Sequence, residues 1–405
     1  MAEKGKLSGL SLAALWFGAA VSLAEIMTGS LIAPLGIKTG IAVILIGHLI
    51  GTLILALTGI IGFKEGKPAL ISSRMSMGTY GSYLVSIFNI VQLIGWTAIM
   101  LIQCARCLQS ITGKLMGFDN FAVLVIVVGI LVAVWALNCD KGISTLNNIA
   151  VLLLLVLTVV MLKAITGQGH IQPVHSNISI GLALELVIVM PLSWVPLISD
   201  YTMIGKSLKG SFWGSFWGYF IGSSFMYVIG LLFAIYTGSS DPIGGINKLN
   251  LGYAALLIVI LSTVTTTFMD VYSSVMSTIN LNPKVSKKKL IIVFSVLGTL
   301  LALFFPMEQY QNFLYMIGSM FAPAFSVILV DYFLYREDRS GHIFNLPGLI
   351  AIVVGIATYY LVLRYDLVIG STVPSMLVTI LVYAIGRSIY AFFTSDHLAG
   401  HPAKN

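Results

Sequence analysis

Glu25 is the residue of this sequence whose type and surroundings point most directly to chemistry. It is an acid inside an apolar stretch, and it shares one helical face, at the spacing i, i+3, i+4 and i+7, with Gly18, Val21 and Ser22. A carboxyl group can accept a hydrogen bond from an exocyclic amine and, when protonated, donate one to a ring nitrogen. We predict that Glu25 contacts a substrate or takes part in ion coupling. The alternative is a structural carboxyl that caps a half-helix or pairs with Arg106.

A run of hydroxyl side chains further along the chain is a second candidate site. Ser262, Thr265 and Thr266 lie at i, i+3 and i+4, so their oxygens share one helical face. If the first helix unwinds near Gly18 and Val21, its freed carbonyls and these hydroxyls would form a low-charge oxygen cage that suits a sodium ion. The alternative is structural, because Ser and Thr in membrane helices often bond back to their own helix or pack against a neighbour.

Two amides and an indole form a third candidate group. Gln92 and Trp96 share a helical face at i, i+4, and Gln103 follows seven residues after Trp96. A flat heteroaromatic solute needs an aromatic plane to stack on and an amide that both donates and accepts. The alternative is an indole packed against lipid or a neighbouring helix, although tryptophan in membrane helices concentrates at the span ends.

Other chemical motifs are weak or absent in the sequence. Cys104 and Cys107 match C-x-x-C, but one such pair inside an apolar helix is weak support for zinc. The six histidines are scattered, and His48 alone lies in the middle of an apolar stretch. No phosphate-binding loop, H-E-x-x-H or G-x-S-x-G motif occurs. We therefore expect no catalytic residues and no organic cofactor, and an ion gradient as the source of energy.

The composition places these residues in a membrane. Of the 405 residues, 58% are hydrophobic and 9% are charged, whereas soluble domains carry roughly a quarter charged residues. The net charge of +7 and the pI near 9.2 do not indicate nucleic-acid binding, because Lys and Arg lie in short loops between apolar runs. No loop is long enough for a separate soluble domain. We predict a single transmembrane domain, residues 1–405, surrounded by lipid and without an obligate protein partner.

Twelve apolar stretches are long enough, at about 20 residues, to cross a bilayer. When these spans alternate, 16 of the 22 Lys and Arg residues fall on the side of the N-terminus and five on the other, with Arg106 inside the third span. This bias predicts a multi-pass protein of the plasma membrane with both termini in the cytoplasm. The predicted spans are 10–35, 39–63, 80–112, 120–139, 146–166, 180–204, 211–237, 250–279, 289–306, 310–335, 346–364 and 367–393.

The first and sixth spans carry interruptions. Span 1 has a glycine-rich, polar segment at 18–29, and span 6 contains Pro191 and Pro196. Proline lacks the N–H that a helix needs, so two prolines five residues apart predict a break near 190–200. Interrupted helices at these two positions are typical of a five-plus-five inverted repeat, in which the substrate binds where both unwind.

At these residues the chain resembles the nucleobase–cation symporter family, which includes cytosine permeases and hydantoin transporters. The likeness runs from end to end. Within the family the chain looks most like the hydroxymethylpyrimidine transporter branch, through LWFGAAVSLAEIMTGSLIAPLG (15–36) and QLIGWTAIMLIQ (92–103). The more specific short matches are Thr28-Gly29, Gly95-Trp96, Asp200-Tyr201, Thr265-Thr266, Ala322-Pro323 and Asp331-Tyr332.

The resemblance implies an all-α integral membrane protein with the LeuT-like five-plus-five fold and two extra helices, which works by alternating access. The inverted repeats would cover about residues 8–166 and 180–335, and the appended helices residues 346–393. A bundle of spans 1, 2, 6 and 7 would move against the rest, usually with sodium coupling. Family members with a sodium site use carbonyls of span 1 and hydroxyls of span 8, and the matching positions are Gly18, Val21, Ser262, Thr265 and Thr266.

Substrate residues carry over in part. The stacking tryptophan of the family matches Trp96, and a polar position of span 6 matches Ser193. Together with the acids inside the spans, the candidate substrate contacts are Ser22, Glu25, Gln92, Trp96, Ser193, Trp194, Thr267 and Asp270.

The departures from the family pattern cluster at the expected pocket. Cytosine permeases carry a Gln three residues before the stacking tryptophan, where this chain has Leu93, with Gln92 displaced by one. They carry an Asn just after the paired threonines, where this chain has Thr267. Ser22 stands where a Phe is expected, and Glu25 replaces a small residue. These differences favour a substrate other than cytosine.

The predicted function is secondary active import of a small aminopyrimidine, the thiamine precursor 4-amino-5-hydroxymethyl-2-methylpyrimidine, with sodium as the coupling ion. The alternative of the same class is a cytosine or purine permease. An ion channel would also have broken helices and intramembrane acids, and a membrane-embedded enzyme is disfavoured because no nucleophile–base pair occurs. Proton coupling stays open as well, because Glu25 or Asp270 could titrate if it is buried.

Overall fold

The protein consists almost entirely of helices in the computed structural model, which describes residues 6–138, 143–167, 171–172, 177–248 and 251–399. Short 3₁₀ segments at Ala33–Leu35 and Met307–Gln309 lead into longer helices, and a π-helical turn covers Asp331–Tyr335. In chain order the α-helices are α1 (Gly9–Ala20), α2 (Leu23–Leu31), α3 (Gly36–Glu65), α4 (Ala69–Ser72), α5 (Arg74–Met77), α6 (Gly81–Met116), α7 (Phe121–Leu137), α8 (Ile143–Thr166), α9 (Ile180–Ser193), α10 (Val195–Thr202), α11 (Leu208–Thr237), α12 (Pro242–Lys248), α13 (Gly252–Leu281), α14 (Lys287–Phe304), α15 (Tyr310–Val330), α16 (Leu346–Tyr365) and α17 (Thr372–Ala399).

The predicted spans coincide with these helices, although the count of twelve stays a prediction. Within the described ranges, eight helical stretches are long and apolar enough to cross a membrane, or nine if α1 and α2 form one broken span. The other three predicted spans coincide with α7 and α8, whose apolar parts are shorter, and with α14, which begins with three lysines. Large apolar side chains such as Leu49, Ile130 and Leu300 are exposed, which is expected where lipid surrounds a helix.

The predicted interruption of span 1 is confirmed, but it covers Val21 and Ser22 rather than the whole segment 18–29. α1 ends at Ala20, α2 begins at Leu23, and the two helices are bent by 63°. Val21 has φ −79° and ψ 88° and Ser22 is extended, so both residues leave the helical conformation. The Ser22 hydroxyl caps α2 by accepting a hydrogen bond of 3.3 Å from the Glu25 N–H. The break therefore places Glu25 in the first turn of a new half-helix, where the helix dipole favours a carboxylate.

The predicted unwinding of span 6 over 190–200 is wrong in extent. The interruption is confined to Trp194, which keeps a helical conformation between α9 and α10. Its N–H donates to the Pro191 carbonyl (3.2 Å), and the Ile198 N–H donates to the Trp194 carbonyl (3.1 Å). Pro196 lies in the first turn of α10, where a helix needs no N–H, so this proline starts a helix without opening a gap.

The helices pack in two groups. α1 and α2 pack on α11, while α3 packs on α9, α10 and α11, which joins predicted spans 1, 2, 6 and 7. α6 packs on α13 and α14, and α7 packs on the same two helices, which joins spans 3, 4, 8 and 9. The α1–α11 contact and the α9–α3 contact are the pairings that an inverted repeat would make equivalent. The packing supports such a repeat; its bounds at 8–166 and 180–335 stay a prediction.

A row of glycines lets α11 approach α1 closely. Gly214, Gly218 and Gly222 recur every four residues along α11. A Cβ atom added at Gly214 or Gly218 would lie 2.2 Å from the Gly9 carbonyl oxygen or 2.3 Å from that of Ala13. This is the spacing of small residues that allows membrane helices to pack backbone against backbone.

The same close packing continues between α11 and α2, and it gives a first prediction. A Cβ atom at Gly230 would lie 1.9 Å from the Ile26 carbonyl oxygen, so Gly230→Ala should destabilise the protein by about 1–3 kcal/mol through overpacking. Thermal unfolding of the purified protein in detergent measures this loss. Gly113→Ala is the matched control, because nothing lies within 4 Å of its added Cβ. Equal unfolding temperatures for the two variants would contradict the packing described.

Glu185 of α9 ties the appended helices to the core. The carboxylate is fully buried and accepts four hydrogen bonds. The Tyr359 hydroxyl (2.7 Å) and the Thr372 hydroxyl (2.5 Å) donate to Oε1, and the N–H groups of Ser371 (2.8 Å) and Thr372 (2.9 Å) donate to Oε2. Because Thr372 begins α17, the Glu185 carboxylate acts as a cap for that helix.

Candidate substrate and ion site

The break between α1 and α2 opens onto a cavity with an empty volume of about 480 Å³. Its walls come from the α1–α2 break, α6, the α9–α10 junction and α13. Of the residues proposed from the sequence, those that line it are Ser22, Glu25, Trp96, Ser193, Trp194, Thr266 and Asp270.

Two predicted substrate contacts lie behind the cavity wall. The Gln92 amide donates to the side chain of Asn89 (2.8 Å) and to the Ser193 carbonyl (2.8 Å), so it fixes the end of α9. The Thr267 hydroxyl donates to the Thr263 carbonyl of its own helix (2.6 Å). Thr267 is not among the residues that line the cavity, although its neighbour Thr266 is.

Aromatic rings hold the Trp96 indole in place. The indole meets the rings of Phe313 and Tyr310 edge to face, with ring centroids 5.3 and 6.3 Å away. Gly95 permits this arrangement, because a Cβ atom there would lie 2.2 Å from the Phe313 ring. Trp194 adds a second indole to the cavity wall and packs edge to face on Trp16 at 5.9 Å. The cavity thus offers fixed aromatic surfaces for a flat solute.

The Glu25 carboxylate is anchored from behind the cavity. Tyr219 and Ser223 of α11 donate to Oε1 (2.9 Å) and Oε2 (2.6 Å). The suggested pairing with Arg106 is wrong, because Arg106 is exposed and lines a separate surface cavity with Asp241. The position of Glu25 in the first turn of α2 agrees with a half-helix cap, and its place in the cavity lining agrees with a substrate or coupling role.

Asp270 brings a second carboxyl group to the same cavity. Its side chain is buried, with 7% of its surface exposed, and Oδ2 has no hydrogen-bond partner within the described residues. Asp270 and Thr266 share one face of α13 and both line the cavity. A buried carboxylate oxygen without a partner is costly, so this oxygen is available to accept a hydrogen bond from a ligand.

The predicted sodium ligands come from two elements that border the same space. Gly18 and Thr266 line a second cavity together. The hydroxyls of Thr265 and Thr266 donate to the Ser262 carbonyl at 3.0 and 2.9 Å, inside an α13 that is continuous at this point. Such back-bonding leaves the hydroxyl lone pairs free to coordinate a cation, so the sodium site stays a prediction.

The second cavity leads away from the first towards the start of α1. It has an empty volume of about 1500 Å³ and shares Ala19, Trp194 and Thr266 with the substrate cavity. Its far end reaches Ser11 of α1 and the Leu155 side chain of α8. Within the described residues, no group of three or more His, Cys, Asp or Glu side chains could hold a metal ion.

Sequence reasoning missed the residues behind Glu25. Tyr219 and Ser223 lie at i, i+4 on the middle of α11, and His48 lies on α3. His48 was the one histidine placed in the middle of a span, and the polar pair on α11 was a signal of the same kind. No pattern within one helix could show that the three side chains meet, because their contact depends on how three helices pack.

Fold and cavity together define an all-helical membrane transporter of the LeuT-like class. Residues 2–386 match the family model described as permease for cytosine/purines, uracil, thiamine, allantoin. The chain therefore belongs to the nucleobase–cation symporters, the cytosine/purine permease family, which is a family of transporters rather than enzymes. Cytosine permease from Escherichia coli (strain K12) is 26% identical over 319 residues, covering 74% of this chain and 73% of the permease.

Solved structures show the same fold. The inward-facing conformation of Mhp1 matches with a TM-score of 0.83 and 20% identity, covering 96% of this chain and 92% of Mhp1. Mhp1 in a closed conformation with bromovinylhydantoin bound matches with a TM-score of 0.81 and 20% identity, covering 96% of this chain and 94% of Mhp1. A Na⁺-coupled sialic acid symporter in a substrate-bound, outward-open state matches with a TM-score of 0.67 and 18% identity. The match covers 96% of this chain and 90% of the symporter.

Proposed function

We propose that the protein imports a small aminopyrimidine, with 4-amino-5-hydroxymethyl-2-methylpyrimidine as the first candidate. The observation that carries this proposal is a cavity that combines two indoles with two carboxyl groups, Glu25 and Asp270. The indoles would stack on the pyrimidine ring, and the carboxyl groups would accept hydrogen bonds from the exocyclic amine. The hydroxymethyl group adds a donor and an acceptor for Ser22 or Ser193.

Cytosine is the second candidate substrate. It is favoured by the similarity to cytosine permease over 319 residues, and its exocyclic amine would suit the same carboxyl groups. Leu93, Glu25 and Ser22 line the cavity, and the sequence pattern expects other residues at these positions in cytosine permeases, which favours the larger aminopyrimidine. Uracil is the informative third ligand, because it replaces the amine with a carbonyl, which only accepts.

Equilibrium binding to the purified protein would test these assignments. We expect hydroxymethylpyrimidine to bind most tightly and cytosine more weakly. Uracil should be weaker than hydroxymethylpyrimidine by about tenfold or more, because the carbonyl in place of the exocyclic amine gives no donor to the buried Asp270 Oδ2. Uracil binding as tight as that of hydroxymethylpyrimidine would remove the role given to the carboxyl groups. Tighter binding of cytosine would select the second candidate.

We propose sodium as a coupling ion, held between the α1 break and the hydroxyl face of α13. Thr266→Val should raise the sodium concentration that half-maximally promotes substrate binding by about tenfold, since one oxygen ligand of about 1.4 kcal/mol is lost. Because coupling is reciprocal, wild-type substrate affinity should rise with sodium. Thr267→Val is the matched control, because Thr267 is the neighbouring threonine of α13 and lines neither of the two cavities. The same sodium dependence in both variants would contradict this site.

Both termini would lie in the cytoplasm, as the distribution of Lys and Arg indicates. The second cavity, which runs towards the start of α1, would then open to the cytoplasm and serve as the exit route for substrate. The bundle of α1, α2, α3, α9, α10 and α11 would move against the remaining helices.

A further inference from the structure

A chain of buried polar groups leads from the substrate cavity into the helix bundle. It begins at Glu25, which lines the cavity, and continues through the Ser223 hydroxyl, 2.6 Å from Glu25 Oε2. The same hydroxyl oxygen is 2.6 Å from His48 Nε2, and the Ser224 hydroxyl is 3.2 Å from His48 Nδ1. Glu25, Ser223 and His48 have 2%, 0% and 0% of their surface exposed, so the three groups are buried except where Glu25 lines the cavity.

The hydrogen-bond directions in this chain follow from the number of hydrogens available. Ser223 has one hydroxyl hydrogen, which it donates to the Glu25 carboxylate. With Glu25 ionised, the Ser223 oxygen can accept from His48 Nε2, and this tautomer leaves Nδ1 to accept from Ser224. His48 thereby keeps the Ser223 hydroxyl aimed at Glu25. We regard His48 as a positioning residue and Glu25 as the group that holds charge.

Glu25 has no cationic partner in the part of the chain that the structure describes. Ion pairs of this part of the chain include those of Arg339 and Arg387 with Asp331 and Glu337, near the end of α15. The other titratable side chains that face Glu25 from neighbouring helices are phenols, an imidazole and a carboxyl group. They are Tyr219 and Tyr227 of α11, His48 of α3, Tyr310 of α15 and, across the cavity, Asp270 of α13.

Two further helices, α9 and α12, pack on α2. The acids that they and their caps contribute form hydrogen bonds with other groups. Glu185 of α9 binds Tyr359 and the start of α17, and the Asp241 carboxylate caps α12 by accepting from the N–H groups of Ile243 and Gly244. An intramembrane acid without a Lys or Arg partner is neutralised at the lowest cost by a proton.

We propose that Glu25, supported by Ser223 and His48, is a proton-binding site that loads from the substrate cavity and carries a proton across the membrane with the substrate. The proton adds to the cavity-facing lone pair of the Glu25 carboxylate, where it forms an O–H bond, and it leaves to water by the reverse step. No other bond forms or breaks. The site is separate from the proposed sodium ligands and would add a second coupling ion.

The geometry explains why proton and substrate would bind together. A protonated Glu25 presents a donor as well as an acceptor, which matches the ring nitrogen and exocyclic amine of an aminopyrimidine; this step rests on the proposed function. The three groups lie on α2, α3 and α11, and both α2 and α3 pack on α11. The loaded site would therefore move as one body with the half-helix that lines the cavity.

Substrate-driven proton movement tests this proposal in proteoliposomes that contain a trapped pH-sensitive dye, with equal sodium on both sides. Addition of hydroxymethylpyrimidine or cytosine should acidify the wild-type interior, and Glu25→Gln should abolish the acidification.

Ser223→Ala should shift the midpoint of the pH dependence of uptake up by about one unit, because the ionised carboxylate loses a donor. Ser215→Ala is the matched control and should keep the wild-type midpoint, because it removes a buried hydroxyl of the same helix that has no hydrogen-bond partner within the described residues. Uptake without acidification, or equal midpoints for the two serine variants, would overturn the proton site.

A second measurement needs no substrate, so it separates failure of the proton site from failure of the proposed function. Infrared difference spectra of the wild-type protein in liposomes, recorded during a pH titration, should contain a carboxylic acid C=O band that is missing in Glu25→Gln. The midpoint of this band should rise in Ser223→Ala and stay unchanged in Ser215→Ala. Absence of a Glu25 band would reject the proton site, whatever the substrate proves to be.

Discussion

Replacing Trp96 with alanine is expected to weaken substrate binding by about 10- to 100-fold, which is the largest change that we expect from a single contact in the cavity. Stacking of a heterocycle on an aromatic side chain contributes about 1–3 kcal/mol, and each 1.4 kcal/mol corresponds to a factor of ten in affinity. Phe313 and Tyr310 hold the indole edge to face, so wild-type Trp96 is already ordered before the substrate arrives. Equilibrium binding of radiolabelled hydroxymethylpyrimidine to purified protein measures the loss.

Two companion variants show whether the loss arises from stacking. Trp96→Phe keeps an aromatic plane and should recover part of the affinity. Trp217→Ala removes a tryptophan of the same size whose side chain is 47% exposed on the outer face of α11, and it should bind as the wild type does. Wild-type affinity in Trp96→Ala would exclude Trp96 from the binding site.

Glu185→Ala is expected to have the largest effect on stability, a loss of about 3–5 kcal/mol. The substitution leaves four buried donors without an acceptor: the hydroxyls of Tyr359 and Thr372 and the backbone N–H groups that begin α17. The apparent unfolding temperature in detergent should fall well below that of Gly230→Ala. Glu185→Gln retains one carbonyl oxygen and should lie between the wild type and the alanine variant.

The affinity for substrate separates this role from a functional one. Because Glu185 contacts the appended helices and lies outside the substrate cavity, Glu185→Gln that remains folded should bind hydroxymethylpyrimidine with wild-type affinity. A stable Glu185→Ala variant with impaired binding would show that the acid belongs to the transport site instead.

The sequence was sufficient for the parts of the fold that depend on local composition. Apolar length located the helices, and the polar, glycine-rich segment around Val21 and Ser22 located the break, since the Ser22 hydroxyl can cap a new helix only if the preceding one ends there. Proline was misleading at span 6. Pro196 falls in the first turn of α10, where its missing N–H costs nothing, so two prolines produce a one-residue interruption rather than an unwound segment.

The candidate site also contains residues that the sequence could predict and contacts that it could not. Trp96, Glu25 and Asp270 were predicted from type and depth in a span, and all three line the cavity. The i, i+4 spacing from Trp96 predicted a substrate contact for Gln92. Residues at this spacing share a face but need not point at the same space, and the Gln92 amide donates to the Ser193 carbonyl instead. The contacts of Tyr219, Ser223 and His48 with one another and with Glu25 join three helices, and no periodicity within one helix encodes them.

Concentrative uptake tests the central claim, that the cavity at the α1–α2 break carries an aminopyrimidine across the membrane. Purified protein in liposomes would be given labelled hydroxymethylpyrimidine under an inward sodium and proton gradient, and again after both gradients are collapsed. We expect saturable accumulation above the external concentration that disappears when the gradients collapse and that falls in Trp96→Ala. Entry that does not saturate, or that stops at equal concentrations inside and outside with the gradients intact, would contradict the account.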